Sequence, residues 1–347
     1  MDEHGLPEQD PQRRTMPAGH VLVALFTGLV VAALLNAQGM HKQALAQGPG
    51  IGRDIAGTLT AGLAGVSGIF QIDQPRALLK AALGRSGDDK LVGELAITAK
   101  GPKASAAPTK PVYSAAKPMG LYLTGDSLIT DPAPVLLDKI STNPAIKALG
   151  VTDAHAATGL VQPEIFNWFD YLPQQIKALK PNMTVATFGA NDGLGFTGVA
   201  GAEEFGTPAW LAEYARRVAG VMDSITAKGG QLVMLGLPIP RDPALAARWA
   251  KMNAIQKSEA EKRKGLVAYV DLFDKLKDGK GNYADFLPDA SGQLQRARSS
   301  DGIHYEPEGA LIVSAAIIDA INELATVPGL GAQPVVPAAA ATTTGSQ

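Results

Sequence analysis

Four short segments hold residues whose types suit chemistry. Gly125-Asp126-Ser127-Leu128 presents a serine hydroxyl beside a flexible glycine. Asp301-Gly302-Ile303-His304 places a carboxylate three residues before an imidazole, close enough to reach its Nδ1 within one turn and fix the tautomer. Gly189-Ala190-Asn191-Asp192 offers a carboxamide donor, and Ala157-Thr158-Gly159-Leu160 offers a backbone N–H that no side chain shields. Together they supply a nucleophile, an oriented base and donors for a developing oxyanion. His155, with Asp153 two residues before it, reads as structural, and so does Asp126. The histidines are only His4, His20, His41, His155 and His304, so a mechanism needing an imidazole base has few candidates.

Composition narrows the chemistry further. The 347 residues contain no cysteine, which excludes disulfides, thiolate metal sites, iron–sulfur clusters and a cysteine nucleophile. Thirty-one basic residues against 33 acidic ones leave a net charge of −2 and no global attraction to nucleic acid. No P-loop, H-E-x-x-H or EF-hand pattern occurs, so neither a cofactor nor a metal is expected. Gly193-Leu194-Gly195-Phe196-Thr197-Gly198 does match G-x-G-x-x-G. A dinucleotide site needs a helix opening directly on those glycines, and no helix is expected before Thr207. The stretch from Gly193 to Gly206 reads instead as a loop beside the site, with Phe196 placed to stack on a sugar ring. Gly48-Pro49-Gly50-Ile51-Gly52 has no strand before it and reads as a turn.

The candidate residues need elements to position them. Short apolar runs at Leu121–Thr124, Leu149–Thr152, Thr184–Phe188, Leu232–Leu235 and Leu266–Val270 read as strands, the second being the weakest. Helical patterns cover Pro163–Leu179, Thr207–Lys228, Pro243–Lys262 and a last helix from Pro307. Alternation of this kind predicts one α/β domain over residues 118–327, with a parallel sheet covered on both faces. Each chemistry-bearing segment then falls near the carboxyl end of a strand or before the last helix, on one rim of the sheet.

Outside that domain, residues 1–20 are polar. Val21–Leu35 is uncharged and apolar and follows Arg13 and Arg14, so residues 21–40 read as a transmembrane anchor or a secretory signal. Either reading exports the domain, and the anchor would place it on a bacterial inner membrane, facing the periplasm or the outside. Ile55, Leu59, Leu63, Val66 and Phe70 make one helical stripe within a helical stalk over residues 41–97, and a second helix start is read at Asp73. Residues 98–117 have linker composition, and residues 328–347 read as a disordered tail.

The four catalytic-looking segments, in this order, resemble the SGNH (GDSL) hydrolase superfamily over roughly Met119 to Thr326. The stretches ATGLVQPEIFNW, Arg241-Asp242-Pro243 and YADFLPDASG, with DGIHY at 301–305, look closer still to a bacterial membrane-anchored subfamily catalogued as a domain of unknown function. The resemblance implies a flavodoxin-like three-layer sandwich with a five-stranded parallel sheet. It also implies Ser127 as nucleophile, His304 as base and Asp301 as its orienting partner, with an oxyanion hole of Ser127 N–H, Gly159 N–H and Asn191. The expected function is an exported serine esterase or O-acyltransferase acting on envelope glycan esters, with a membrane acyl-donor protein as a possible partner. A lipase or thioesterase is the same-class alternative. A non-catalytic envelope scaffold is the different-class one.

Overall fold

The computed structural model describes residues 17–37, 39–40, 51–69 and 110–331. The chain divides into two compact units, Met1–Lys90 and Leu91–Gln347. The expected helix at Asp73, residues 98–109 of the linker and most of the C-terminal tail lie outside the described residues.

In the first unit, α1 (Ala18–Leu35) and α2 (Ile51–Ile69) contact each other, and Ser67 Oγ donates to Leu34 O at 2.8 Å. The expected transmembrane helix over residues 21–40 is not supported. Among the described residues, no helix is long and apolar enough to cross a membrane. α1 has 18 residues, about 27 Å at 1.5 Å per residue, against a hydrocarbon core of about 30 Å. Gly19, His20, Thr27 and Gly28 further dilute it. α2 contains the first four residues of the expected stripe.

The second unit is built on a parallel sheet. Strands β1 (Met119–Gly125), β4 (Met183–Thr187), β5 (Gln231–Leu235) and β6 (Val267–Val270) lie side by side in that order, and the other edge beside β1 is split. There, β2 (Ile146–Ala148) pairs with Met119–Leu121, and β3 (Asp153–Ala154) pairs with Thr124 and Gly125. Counting the split edge once gives the spatial order 2-1-3-4-5, the doubly wound order in which β1 flanks the switch point. The expected strand at Leu149–Thr152 falls in the gap between β2 and β3. Leu149 N–H still donates to Leu121 O at 2.8 Å, and the chain then leaves the ladder with Val151 83% exposed. An edge strand is held on one side only, so an apolar run there can loop out.

β1, β4 and β5 are buried along their whole length, as strands covered on both faces must be. One helical layer pairs α3 (Pro132–Ile140) with α8 (Pro307–Leu324). The other packs α4 (Trp168–Leu179), α5 (Pro208–Thr226) and α6 (Pro243–Glu261) in series. Their starts are written in the sequence. Asn167, Thr207 and Asp242 cap α4, α5 and α6 through side-chain oxygens, and Pro208, Pro243 and Pro307 occupy first-turn positions where no N–H is needed. The folded region also takes in residues read as linker: Tyr113 N–H donates to Thr326 O, and Thr326 N–H to Pro111 O. A short helix α7 (Leu272–Lys275) and the antiparallel pair β7 (Phe286–Pro288) and β8 (Leu294–Arg296) precede α8.

Candidate active site

β1 ends at Gly125, level with Thr187 of β4, and Asp126 N–H donates to Thr187 O at 3.1 Å. The residues that follow both strands therefore emerge on the same rim. Ser127 stands two residues past the end of β1. It begins a single 3-10 turn, Ser127–Ile129, and the Asp126 carboxylate accepts the Leu128 N–H at 3.0 Å. Its other oxygen accepts Ala190 N–H at 3.1 Å, tying the serine turn to the Asn191 segment. Asp126 is fully buried; burial raises its pKa to about 7, against the lowering effect of those two N–H groups.

His304 joins Ser127 from 177 residues away. Its Nε2 lies 2.8 Å from Ser127 Oγ, and its Nδ1 lies 2.6 Å from Asp301 Oδ2. The other Asp301 oxygen accepts the backbone N–H groups of Ile303 at 2.8 Å and His304 at 3.0 Å. Partial burial raises the Asp301 pKa, but the bonds from the His304 ring and from these N–H groups prevail and hold it at about 2. Gly302 turns the loop with φ +75° and packs on Arg241, leaving no room for a Cβ.

This loop rests on a guanidinium. Arg298 is fully buried, and its Nη1 donates to Ile239 O at 2.6 Å while its Nη2 donates to Ile303 O at 2.7 Å. Ser299 N–H donates to His304 O at 2.9 Å and closes the turn. Arg241 adds a second clamp, with Nη1 donating to Ser300 O at 2.8 Å and its backbone N–H to Gly302 O at 3.0 Å. Sequence reading marked the Arg241 segment but missed Arg298, because nothing in its spacing reveals which carbonyl oxygens surround it.

Asn191 Nδ2 donates to Thr158 O at 2.9 Å, which fixes the amide orientation and leaves its second N–H uncommitted. Thr158 is itself held: its hydroxyl donates to His155 O at 2.6 Å and accepts from Trp168 Nε1 at 3.2 Å. Gly159 lies against Asp192, whose Oδ1 a Cβ at this position would overlap. Asp192 in turn accepts Leu160 N–H at 3.0 Å and Val161 N–H at 2.9 Å. Arg217 secures the same two residues through their carbonyl oxygens, at 2.6 and 3.2 Å. Burial raises the Asp192 pKa to about 6, opposed by the two N–H bonds and by Arg217. Among the described residues, neither Ser127 N–H nor Gly159 N–H has an acceptor in the protein.

Two expectations change or sharpen here. Phe196 is 2% exposed, packed on Trp210 with the Arg217 guanidinium 4.4 Å from its ring centre, and it has no face for a sugar. Its side chain is apolar and the loop folds back, with Phe196 N–H donating to Ala202 O at 2.8 Å. His155 points its Nε2 to Asp153 at 2.9 Å and stacks on Phe166 at 4.0 Å between ring centres, while Tyr122 and Tyr171 also donate to Asp153. No group of residues able to hold a metal ion occurs among the described residues. The loop from Gly193 continues to Thr207 without a helix, so no helix N-terminus meets the glycines of the dinucleotide-like pattern.

A hydroxyl, an imidazole and a carboxylate in one hydrogen-bonded chain, beside uncommitted N–H donors, is an arrangement able to carry out acyl transfer. Residues 120–320 match the sequence model of the family described as "Protein of unknown function (DUF459)", and the chain belongs to that family. No curated protein matches. Among solved structures, an acetylxylan esterase from Geobacillus stearothermophilus, in a catalytic-mutant form, is 13% identical, with 58% of this chain and 94% of that chain covered at a TM-score of 0.42. A GDSL-like lipase from Bacteroides thetaiotaomicron is 16% identical, covering 63% and 93% at a TM-score of 0.41. An alpha/beta hydrolase from the metagenome of Lake Arreo, Spain, is 14% identical, covering 60% and 97% at a TM-score of 0.41.

Proposed function

We propose that this chain is a serine-dependent ester hydrolase of the SGNH type. The observation that carries the reading is the continuous bond from Ser127 Oγ through His304 to Asp301. His304 Nε2 takes the serine proton as Oγ attacks an ester carbonyl, and the ionised Asp301 stabilises the imidazolium. The oxyanion is met by Ser127 N–H, Gly159 N–H and the free N–H of Asn191. Collapse of the tetrahedral intermediate returns the proton to the leaving alcohol and leaves acyl-Ser127. A second hydroxyl, from water or a sugar, then enters by the reverse sequence. The test is covalent labelling by a serine-reactive phosphonate: one adduct on Ser127, absent from His304→Ala, is expected. Labelling elsewhere, or none, overturns the reading.

The substrate we propose is an O-acylated glycan of the bacterial cell envelope, with transfer to a second sugar as a further capacity. The uncharged run Val21–Leu35 after Arg13 and Arg14, read as a secretory signal, supports export of the domain. Protease accessibility checks this: the domain should resist digestion in intact cells with an outer barrier and be cut once that barrier is opened. Digestion only after the inner membrane is lysed would rule out export.

A further inference from the structure

α6 joins the two functional loops. Just before it, Arg241 holds the Asp301–His304 turn through Ser300 O and Gly302 O. In its second turn, Arg248 Nη1 donates to Gly193 O at 3.0 Å, two residues beyond Asn191. The two arginines differ in charge balance. Arg241 is paired with Asp285 at 2.6 Å and bonded to Tyr283. Arg248 is exposed and, among the described residues, has no carboxylate partner. Its guanidinium lies along the loop backbone, with Cδ and Nη1 each 3.5 Å from where a Gly193 Cβ would stand, and 5.6 Å from the Phe205 ring centre. One turn on, Lys251 Nζ sits 3.7 Å from the corresponding point on Gly206, at the other end of the same loop. Glu203 and Glu204 on that loop pair with neither cation.

From this we infer that Arg248, supported by Lys251, is a subsite for a carboxylate carried by the substrate glycan, so that the preferred ester sits on an acidic sugar chain. The inference rests on the ester-hydrolase reading for the nature of the ligand. A guanidinium has five N–H donors in a rigid fork suited to a carboxylate, and the contacts described engage one nitrogen. The Gly193 carbonyl and the Phe205 ring hold the group in place, so little ordering is required on binding. An unpaired surface cation also remains fully available, whereas Arg241 is already neutralised.

Binding tests this without turnover. O-acetylated oligogalacturonate and the same oligosaccharide with its carboxyls reduced are titrated by calorimetry into the full-length protein carrying Ser127→Ala, which cannot turn the ester over. The acidic ligand should bind about 10- to 100-fold more tightly, the range for hydrogen bonds to charged groups. Arg248→Gln should erase that preference, and Arg248→Lys should keep part of it. Added salt should narrow it wherever Arg248 is intact. Equal affinity for the two ligands, or an Arg248→Gln variant that weakens both alike, overturns the subsite. Hydrolysis of 4-nitrophenyl acetate by the full-length wild type that is lost in Ser127→Ala, measured in parallel, reports on Ser127. Its absence alongside a charge-dependent preference overturns the hydrolase reading and leaves the subsite standing.

Discussion

Asp301 shows how a single side chain makes a weak base useful. Its carboxylate is bonded by the imidazole and by two backbone N–H groups, and it stays ionised down to about pH 2. The acid limb of activity therefore does not come from Asp301. Ser127→Ala and His304→Ala should each abolish hydrolysis of an aryl acetate, while Asp301→Asn should lose about 10⁴-fold by leaving the wrong tautomer. Thermal midpoints near wild type would show that these losses are chemical. His155→Ala should keep most activity, since its ring serves Asp153 and Phe166; a loss equal to that of His304→Ala would reassign the base. Gly159 makes a separate test. A methyl group there displaces the Asp192 carboxylate, leaving Leu160 and Val161 N–H unpaired. We expect Gly159→Ala to cost about 2–6 kcal/mol, from about 1–3 per unmet donor, with a fall in kcat beyond what unfolding explains.

At the scale of elements, the site is a set of loops bonded to one another by buried carboxylates. Asp126 joins the serine turn to the Asn191 segment, and Asp192 joins that segment to the Gly159 loop. Both have folded-state pKa values raised by burial, to about 7 and about 6, above the usual value near 4. A raised pKa means the folded state holds the proton more tightly than the unfolded chain. The contribution to stability is therefore complete below about pH 4 and is lost as pH rises through 6 and 7. Chemical denaturation should show stability falling across that window, and a flatter profile in Asp126→Asn. A profile unchanged by that substitution would assign the slope to other groups. The Gly193–Gly206 loop behaves as part of the core at Phe196. Phe196→Ala should destabilise by about 3–5 kcal/mol, and a selective loss of acyl transfer with no change in melting would contradict its burial.

On the scale of the whole molecule, the second unit carries every residue of the candidate site. A chain starting at residue 91 should keep the melting temperature of the domain and its aryl acetate hydrolysis. One starting at residue 118 should melt lower, because Pro111 and Tyr113 pair with Thr326 at the end of α8. Equal melting of the two would show that this pairing adds nothing. Much of this architecture was legible in the sequence. Buried parallel strands are short apolar runs, and their helices begin at Asn167, Thr207 and Asp242 with prolines at first-turn positions. Ser127, Asn191, Gly159, Asp301 and His304 stood out as candidates by their types and by their places at strand ends or before the last helix, with their roles implied by the resemblance. The split edge strand could not be read in this way, since an edge is held on one side and local apolarity does not choose where pairing lapses. Nor could Phe196, Arg298 or Asp192. An aromatic residue in a glycine-rich loop looks available until the loop folds back, and a charged residue looks solvated until carbonyl and N–H groups from distant segments close around it. Local chemistry set the residues that can react. Only tertiary packing decided which polar groups are buried to hold them, because burial and hydrogen-bond partners depend on contacts far apart in the chain.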